Sequence, residues 1–354
     1  MIAEIKSERS AEDRARFLLD QVQALIKARP FVPHSVFKQG DLQTLAAFMW
    51  PLSVRVSAAN DDEARLFEVA PDTQVLGACR WQADRSSQPT LVAWHGLEGS
   101  INSGYMLRTA DKAFRAGFNV VRLNIRNCGD TEHLTPTIYH AGLTGDLRVV
   151  LEELITRDQL SRIVVAGFSL GGNLVLKLAG EYGENPPPEI KAVGAISPSI
   201  DLAAGRDLVN QRRNLIYQRD FLSNLKRRLQ LKKRLYPDLY DITALNSVRT
   251  IEEFDDLFVA PAFGFDGVND YYAKASSRTC IGRIRIPTLI IHAKDDPFVP
   301  FAPLMDDSIA ANPFVSVVGT ERGGHVAFVL ANPVGEDRFW AENRLVDFFG
   351  LVTE

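Results

Sequence analysis

Cysteine is scarce in this chain of 354 residues, and the patterns that would hold a metal or a nucleotide are missing. Cys79, Cys128 and Cys280 are an odd number, lie far apart and form no CxxC pair, which excludes a disulfide framework and a thiolate zinc site. No P-loop, dinucleotide fingerprint, HExxH helix or EF-hand loop occurs, so neither cofactor nor metal is expected. Charge of one sign is not in surplus: 40 Lys and Arg stand against 44 Asp and Glu. A net charge of -4 gives no general attraction to nucleic acid. No uncharged apolar run reaches the roughly 18 residues of a membrane span, and the polar start MIAEIKSERSAEDRAR carries no signal-peptide core. These absences lead us to expect a cytoplasmic, soluble protein with reduced thiols, its oligomeric state left open.

What is present reads first as an organisation. Residues 11–29 form an amphipathic helix pattern with Phe17, Leu18, Val22, Leu25 and Ile26 on one side, ended by Pro30 and Pro33. Short strand-like runs follow (LSVRVS, ARLFEVA, LGACRWQ), broken by Asn60-Asp61-Asp62 and Pro71-Asp72, as an antiparallel entry to a sheet would be. The pattern then changes. TLVAWHG, FNVVRLNIR, RIVVAGF, AVGAIS and RIPTLIIHA are β-branched and almost continuously apolar, which suits strands buried on both faces. Helical stretches lie between several of them, implying an α/β fold with a mostly parallel sheet and right-handed crossovers. Between Ser197 and Pro287 lie roughly 90 residues, where a simple crossover needs about 12. The excess predicts a helical lid inserted at 200–266. The expected division is therefore an N-terminal helical extension over 1–50, a core over 51–199 and 267–354, and the lid.

Gly167-Phe168-Ser169-Leu170-Gly171 fits G-x-S-x-G between a strand-like and a helix-like run. Such a sharp turn exposes a serine hydroxyl, and small flanking residues let the backbones pass. A serine needs a base, and the base an orienting acid. In this arrangement the order along the chain is Ser, acid, His. Of the two downstream histidines, His292 sits inside an apolar strand, whereas His325 follows Gly323-Gly324 in a loop; His325 is the candidate base. HAKDDPFVP offers Asp296 as the acid, because the chain leaves the strand directly after it, with Asp295 as the alternative. The N–H groups of Leu170 and of Leu97, in the loop HGLEGS, are the candidate oxyanion donors. His95, Gly96 and Phe168 are expected to shape the substrate-binding wall. His95 as a catalytic base would break the chain order. Tyr139-His140-Ala141-Gly142 is a further candidate pocket segment, NIRNCGD should lie along the same sheet edge, and Cys128 has no activating partner. Ten Lys or Arg within 206–234 face only Asp207 and Asp220. The plain reading is a solvated lid face; the sharper one is peripheral contact with an anionic lipid surface or acidic substrate.

With these residues in view, the chain resembles the YheT/EMB8-type branch of the α/β-hydrolases, which includes the mammalian ABHD1, 2 and 3 group. The segments that carry the resemblance are Gly40-Asp41-Leu42-Gln43-Thr44, HGLEGS, NIRNCGD, GFSLGGN, SPSIDL, EFDDLF, DYYAKASS, DDPFVP and GGH, spread over about 31–330. The resemblance implies an esterase or lipase acting on small-molecule or lipid acyl esters through Ser169, His325 and one Asp of the DDP pair. It also implies that some relatives pass the acyl group to an alcohol; binding of a lipid or partner without turnover is the reading of another class. Two departures stand out. Asn127 occupies a position where such proteins usually carry glycine, so a different loop backbone is expected, and no N-terminal membrane anchor like that of the mammalian members is seen.

Overall fold

The computed structural model describes residues 10–50 and 62–354. The expected strand at 52–57 and the break at Asn60-Asp61 lie outside the described residues. Among the described residues, eight strands form one sheet: β1 (Glu63–Ala70), β2 (Thr73–Arg80), β3 (Thr90–Trp94), β4 (Asn119–Leu123), β5 (Ile163–Phe168), β6 (Ile190–Ile196), β7 (Thr288–Ala293) and β8 (Val315–Thr320). Their order is β1-β2-β4-β3-β5-β6-β7-β8. β1 and β2 form an antiparallel hairpin, β2 pairs antiparallel with β4, and every later pairing is parallel. β8 has no counterpart among the expected strands: VSVVGT is an edge strand of alternating burial, a weaker pattern than the doubly buried runs.

The apolar runs feed two cores because successive side chains point to opposite faces. Val92, Trp94 and Val165 pack on one side with Leu147, Val150 and Leu151 of helix α4 (Thr144–Thr156) and Leu174 of α5 (Leu170–Tyr182). Leu91, Ala93, Val164 and Ala166 pack on the other. There they meet α1 (Ala11–Ala28), α3 (Gly104–Arg115) and the C-terminal α9 (Trp340–Thr353). The face that α1 buries is Ala15, Leu19, Val22 and Ile26. Phe17, expected on that face, is half exposed, because the 3.6-residue period places it about half a turn away.

Helix α2 (Gly40–Met49) precedes the sheet. Between β6 and β7 the chain forms α6 (Leu202–Val209), α7 (Leu215–Leu235), a helical turn at Ile251–Phe254 that runs into a π-helical turn at Asp255–Val259, and α8 (Val268–Ala275). The buried residues of α7 include Leu222, Leu225 and Leu229, but also Arg228 and Lys232. A uniformly solvated basic face is thus not what forms. Arg228 pairs with Glu98 and Glu132, each at 2.8 Å. Lys232 donates to the carbonyls of Glu132, at 3.0 Å, and Thr135. Among the described residues no helix is long and apolar enough to cross a membrane.

Candidate active site

Ser169 sits at the C-terminal end of β5, where the strand turns into α5, with φ 52° and ψ -115°. A non-glycine residue in this region carries strain of the order of 1–3 kcal/mol. The surroundings enforce it: the Ser169 N–H donates to Ile196 O at 3.0 Å, and its carbonyl accepts from Asn173 and Ser199 N–H at 3.1 and 3.2 Å. Gly171 lets the start of α5 approach the end of β3, since a Cβ there would lie 2.4 Å from His95 O. Leu170 is the first residue of α5, so its N–H is among those no intrahelical bond can satisfy. Leu97 follows Gly96 in a turn closed by Gly99 N–H to Gly96 O at 3.0 Å, with Glu98 at φ 55°. The second residue of such a turn keeps its N–H outside the turn's own hydrogen bond.

Asp296 leaves the end of β7 and is fully constrained. Its Oδ1 accepts from Phe298 and Val299 N–H at 2.8 and 3.0 Å. Its Oδ2 lies 2.7 Å from His325 Nδ1. Burial would raise this carboxyl; the facing His325, the hydrogen bond between them, nearby His292 and the Phe298 amide outweigh it and hold it below the usual carboxylate range. With Nδ1 engaged, Nε2 of His325 is left for another partner. The Phe298 ring packs edge-on against the imidazole, centroids 5.0 Å apart.

The loop carrying His325 is fastened from three sides. Asp295 Oδ1 accepts from Gly324 N–H at 3.0 Å, so the neighbouring aspartate orients the glycine pair and not the imidazole. Val326 N–H donates to Ser197 Oγ at 3.1 Å, and Thr44 Oγ1 of α2 accepts from His325 N–H at 2.9 Å. Gly324 has φ 63°, and a Cβ there would lie 2.4 Å from Gly40 O, so α2 is seated directly on the loop. Beside Thr44, buried Gln43 accepts from Val329 N–H at 2.7 Å and donates to Phe37 O at 2.6 Å. In the sequence these two residues carry no chemical signal beyond their place in the GDLQT segment.

Ser169, Leu170, Leu97 and His325 line one cavity, opening onto about 1190 Å³ of unfilled space. Its wall is mainly apolar, with Ile138, Tyr139, Phe221, Leu225, Phe254 and Phe298. The residues expected to shape the wall do so indirectly. His95 is wholly buried: Nδ1 lies 2.7 Å from Gly96 O, and Nε2 accepts from Ile125 N–H at 3.0 Å. That pair of bonds requires a neutral ring, and burial lowers its pKa to about 4. His95 therefore staples the loop after β3 to the chain after β4. Phe168 is buried against Tyr105, with centroids 4.7 Å apart, and neither it nor His95 reaches the cavity. Gly96 approaches the Ser169 side chain instead, a Cβ there lying 3.0 Å from Ser169 Cβ.

The secondary candidates divide similarly. Tyr139 and Ala141 line the cavity, while His140 packs among Phe263, Phe265 and Tyr271. His292 is buried in β7, its Nε2 3.0 Å from Val299 O. Cys128 is buried, which pushes its thiol up to about 12 and leaves it inert. Asn127 has φ 65°, so the left-handed backbone that favours glycine forms without one; asparagine tolerates that region, and its Nδ2 donates to Thr137 O at 3.0 Å.

Comparison with known proteins finds relatives of this chain. A family described as the alpha/beta hydrolase fold matches residues 89–331. Escherichia coli YheT is 34% identical over 277 residues, covering 77% of this chain and 79% of that protein. The monoacylglycerol lipase of Saccharomyces cerevisiae is 30% identical over 258 residues, covering 68% of this chain but 55% of its own length, so the chain spans about half of that relative. Among solved structures, the Pyrococcus furiosus esterase Pf2001 superposes with a TM-score of 0.54 at 15% identity, covering 83% of this chain and 93% of that one. At that identity the likeness is one of fold.

Proposed function

Because the chain belongs to the α/β-hydrolase fold family, in the branch that holds YheT, we propose that it is a serine hydrolase of carboxylic esters with Ser169 as nucleophile. The observation that carries this reading is the meeting of Ser169, on its strained turn, with the His325–Asp296 pair at one largely apolar cavity. A glycine-rich turn with an incidental serine would need neither the fastened imidazole nor the buried carboxylate behind it.

In this mechanism the ester carbonyl oxygen lies between the Leu97 and Leu170 N–H groups. Nε2 of His325 takes the Ser169 proton as Oγ attacks the carbonyl carbon. Asp296 holds the proton on Nδ1 and stabilises the imidazolium. The tetrahedral oxyanion collapses to an acyl-enzyme, and the alcohol leaves with the proton from His325. Water then attacks the acyl carbon through the same base, releasing the acid and free Ser169. The apolar wall suits an acyl chain, and α6, α7 and the Asp255–Val259 turn, which contribute much of it, act as the lid.

The test is intact-mass spectrometry after treatment with a fluorophosphonate, on the wild type and on Ser169→Ala, followed by a p-nitrophenyl ester chain-length series. One adduct on the wild type, none on the variant, and turnover of the esters are expected. Folded wild-type protein that takes no adduct and hydrolyses no ester would overturn the reading in favour of ligand binding without turnover.

A further inference from the structure

The cavity is not apolar throughout. One stretch of wall carries Asp255 and Tyr272, with Arg206 and Glu252 beside them. Asp255 opens the π-helical turn, whose i→i+5 bond runs from Ala260 N–H to Asp255 O. Such turns are uncommon inside helices and gather at functional sites, because the extra residue re-aims the side chains around it. Here the two neighbouring aspartates have different surroundings. Asp256 is exposed, and its Oδ1 accepts from Val268 N–H at 2.8 Å, an ordinary structural bond. Asp255 lines the cavity with a carboxyl surrounded by protein and only partly accessible.

Among the described residues the Asp255 carboxyl has one hydrogen-bond donor, the Tyr272 hydroxyl, 2.8 Å from Oδ2. Holding a carboxyl in an apolar wall costs free energy that an apolar side chain would avoid. The pair therefore points to a ligand group with which Oδ1 can bond. The neighbours narrow its chemistry. Glu252 beside Asp255 disfavours a phosphate or a carboxylate. Arg206 is already paired with Glu252 at 3.0 Å and Asp207 at 2.9 Å and lies 5.9 Å over the Tyr272 ring, and a second cation would lose its hydration against the apolar wall, which disfavours one. A neutral hydroxyl fits either protonation state of the acid, accepting from the protonated form and donating to the ionised one. Burial raises this carboxyl to about 7, so both forms are within reach near neutral pH.

We propose that Asp255, oriented by the Tyr272 hydroxyl, is a specificity-determining residue that binds a hydroxyl of the substrate, so that the enzyme favours hydroxyl-bearing esters over plain esters of the same chain length. The proposal rests on the ester-hydrolase reading above and deepens it. The hydroxyl can belong to the alcohol half of the ester or to the acyl chain, and the two sources are separable.

The experiment measures kcat/KM of the 354-residue chain on ethyl octanoate, glyceryl monooctanoate and ethyl 8-hydroxyoctanoate, for the wild type, Asp255→Leu, Asp255→Asn and Tyr272→Phe. The readout is the ratio of each hydroxylated ester to ethyl octanoate. Loss of one hydrogen bond to a substrate hydroxyl should lower that ratio about 10- to 100-fold in Asp255→Leu. The loss should appear mainly in KM, and the ester that shows it identifies the half of the substrate concerned. Asp255→Asn, still able to bond a hydroxyl, should keep most of the preference, and Tyr272→Phe should lose part of it even if the leucine variant fails to fold. A ratio unchanged in Asp255→Leu and Tyr272→Phe, while ethyl octanoate is hydrolysed and Ser169 takes the phosphonate, would overturn the subsite alone. No turnover of any ester and no adduct on Ser169 would instead remove the hydrolase reading, and this proposal with it.

Discussion

The backbone N–H of His325 donates to the hydroxyl of Thr44 at 2.9 Å, across a separation of 281 residues. Thr44 also donates to Gly40 O at 2.8 Å, so its hydroxyl ties the start of α2 to the loop that carries the candidate base. Thr44→Val keeps the shape and removes the acceptor, leaving an amide unpaired at a cost of about 1–3 kcal/mol. As a positioning residue, Thr44 should act on kcat, lowering it roughly 10-fold with KM little changed. Thr44→Ser should restore activity. Equal kcat in Thr44→Val and wild type, measured on a p-nitrophenyl ester, would count against this role.

Asp296 and Asp295 are adjacent in sequence and differ in work. Asp296→Asn leaves the geometry but disturbs the tautomer of His325, and kcat should fall on the order of 10⁴-fold. Asp295→Asn should cost less than about 10-fold, because an amide oxygen still accepts the Gly324 N–H. Burial raises the Asp295 carboxyl, with the Gly324 amide opposing it. Steady-state rates of the two variants decide the matter, and a larger loss at Asp295 would reverse the assignment.

Arg228 sits buried between Glu98 and Glu132. Arg228→Met would strand two buried carboxylates, and breaking a buried pair typically costs about 3–5 kcal/mol. The midpoint of urea unfolding should drop accordingly. Replacing Glu98 and Glu132 by glutamine in the same variant should recover much of the loss, since neutral partners carry no uncompensated charge. No recovery would show that the methionine itself packs badly.

Buried neutral histidines predict acid sensitivity. Burial lowers His95 and His140 to about 4 and lowers His292 as well. In the unfolded chain these rings take up protons near the ordinary value of about 6.5. The unfolded state therefore binds more protons between about 6.5 and 4, and stability should fall as pH falls through that window. Thermal unfolding at pH steps from 8 to 4 should show the decline, and His140→Gln should make it shallower. A melting temperature that is flat from pH 6.5 to 4 would contradict the assignment.

Strand, turn and helix in GFSLGGN lie within a dozen residues, so the position of Ser169 was legible from local pattern alone. The doubly buried strands were legible for a similar reason, since a run such as TLIIHA satisfies only one kind of environment. His325 followed from chain order and from its glycine pair. Which of Asp295 and Asp296 faces it depended on a few ångströms at the exit from β7, where Phe298 and Val299 N–H groups capture one oxygen of Asp296 and turn the other toward the ring. The buried part of the basic stretch was hidden too. Periodicity marks Leu222, Leu225 and Leu229 as inward, but whether Arg228 and Lys232 join them depends on acceptors near residues 98 and 132, far away in sequence.

The sequence by itself thus determined the fold class and the strand, turn and helix that carry Ser169, because each is written in short-range spacing. Tertiary structure alone decided that Thr44 supports His325, that His95 is a staple away from the cavity, that Arg228 binds α7 to the loop after β3, and that Asp255 faces the cavity. Each of those outcomes is a hydrogen bond or an apposition between distant segments. No local pattern encodes it, because the partner is supplied only when the chain closes on itself.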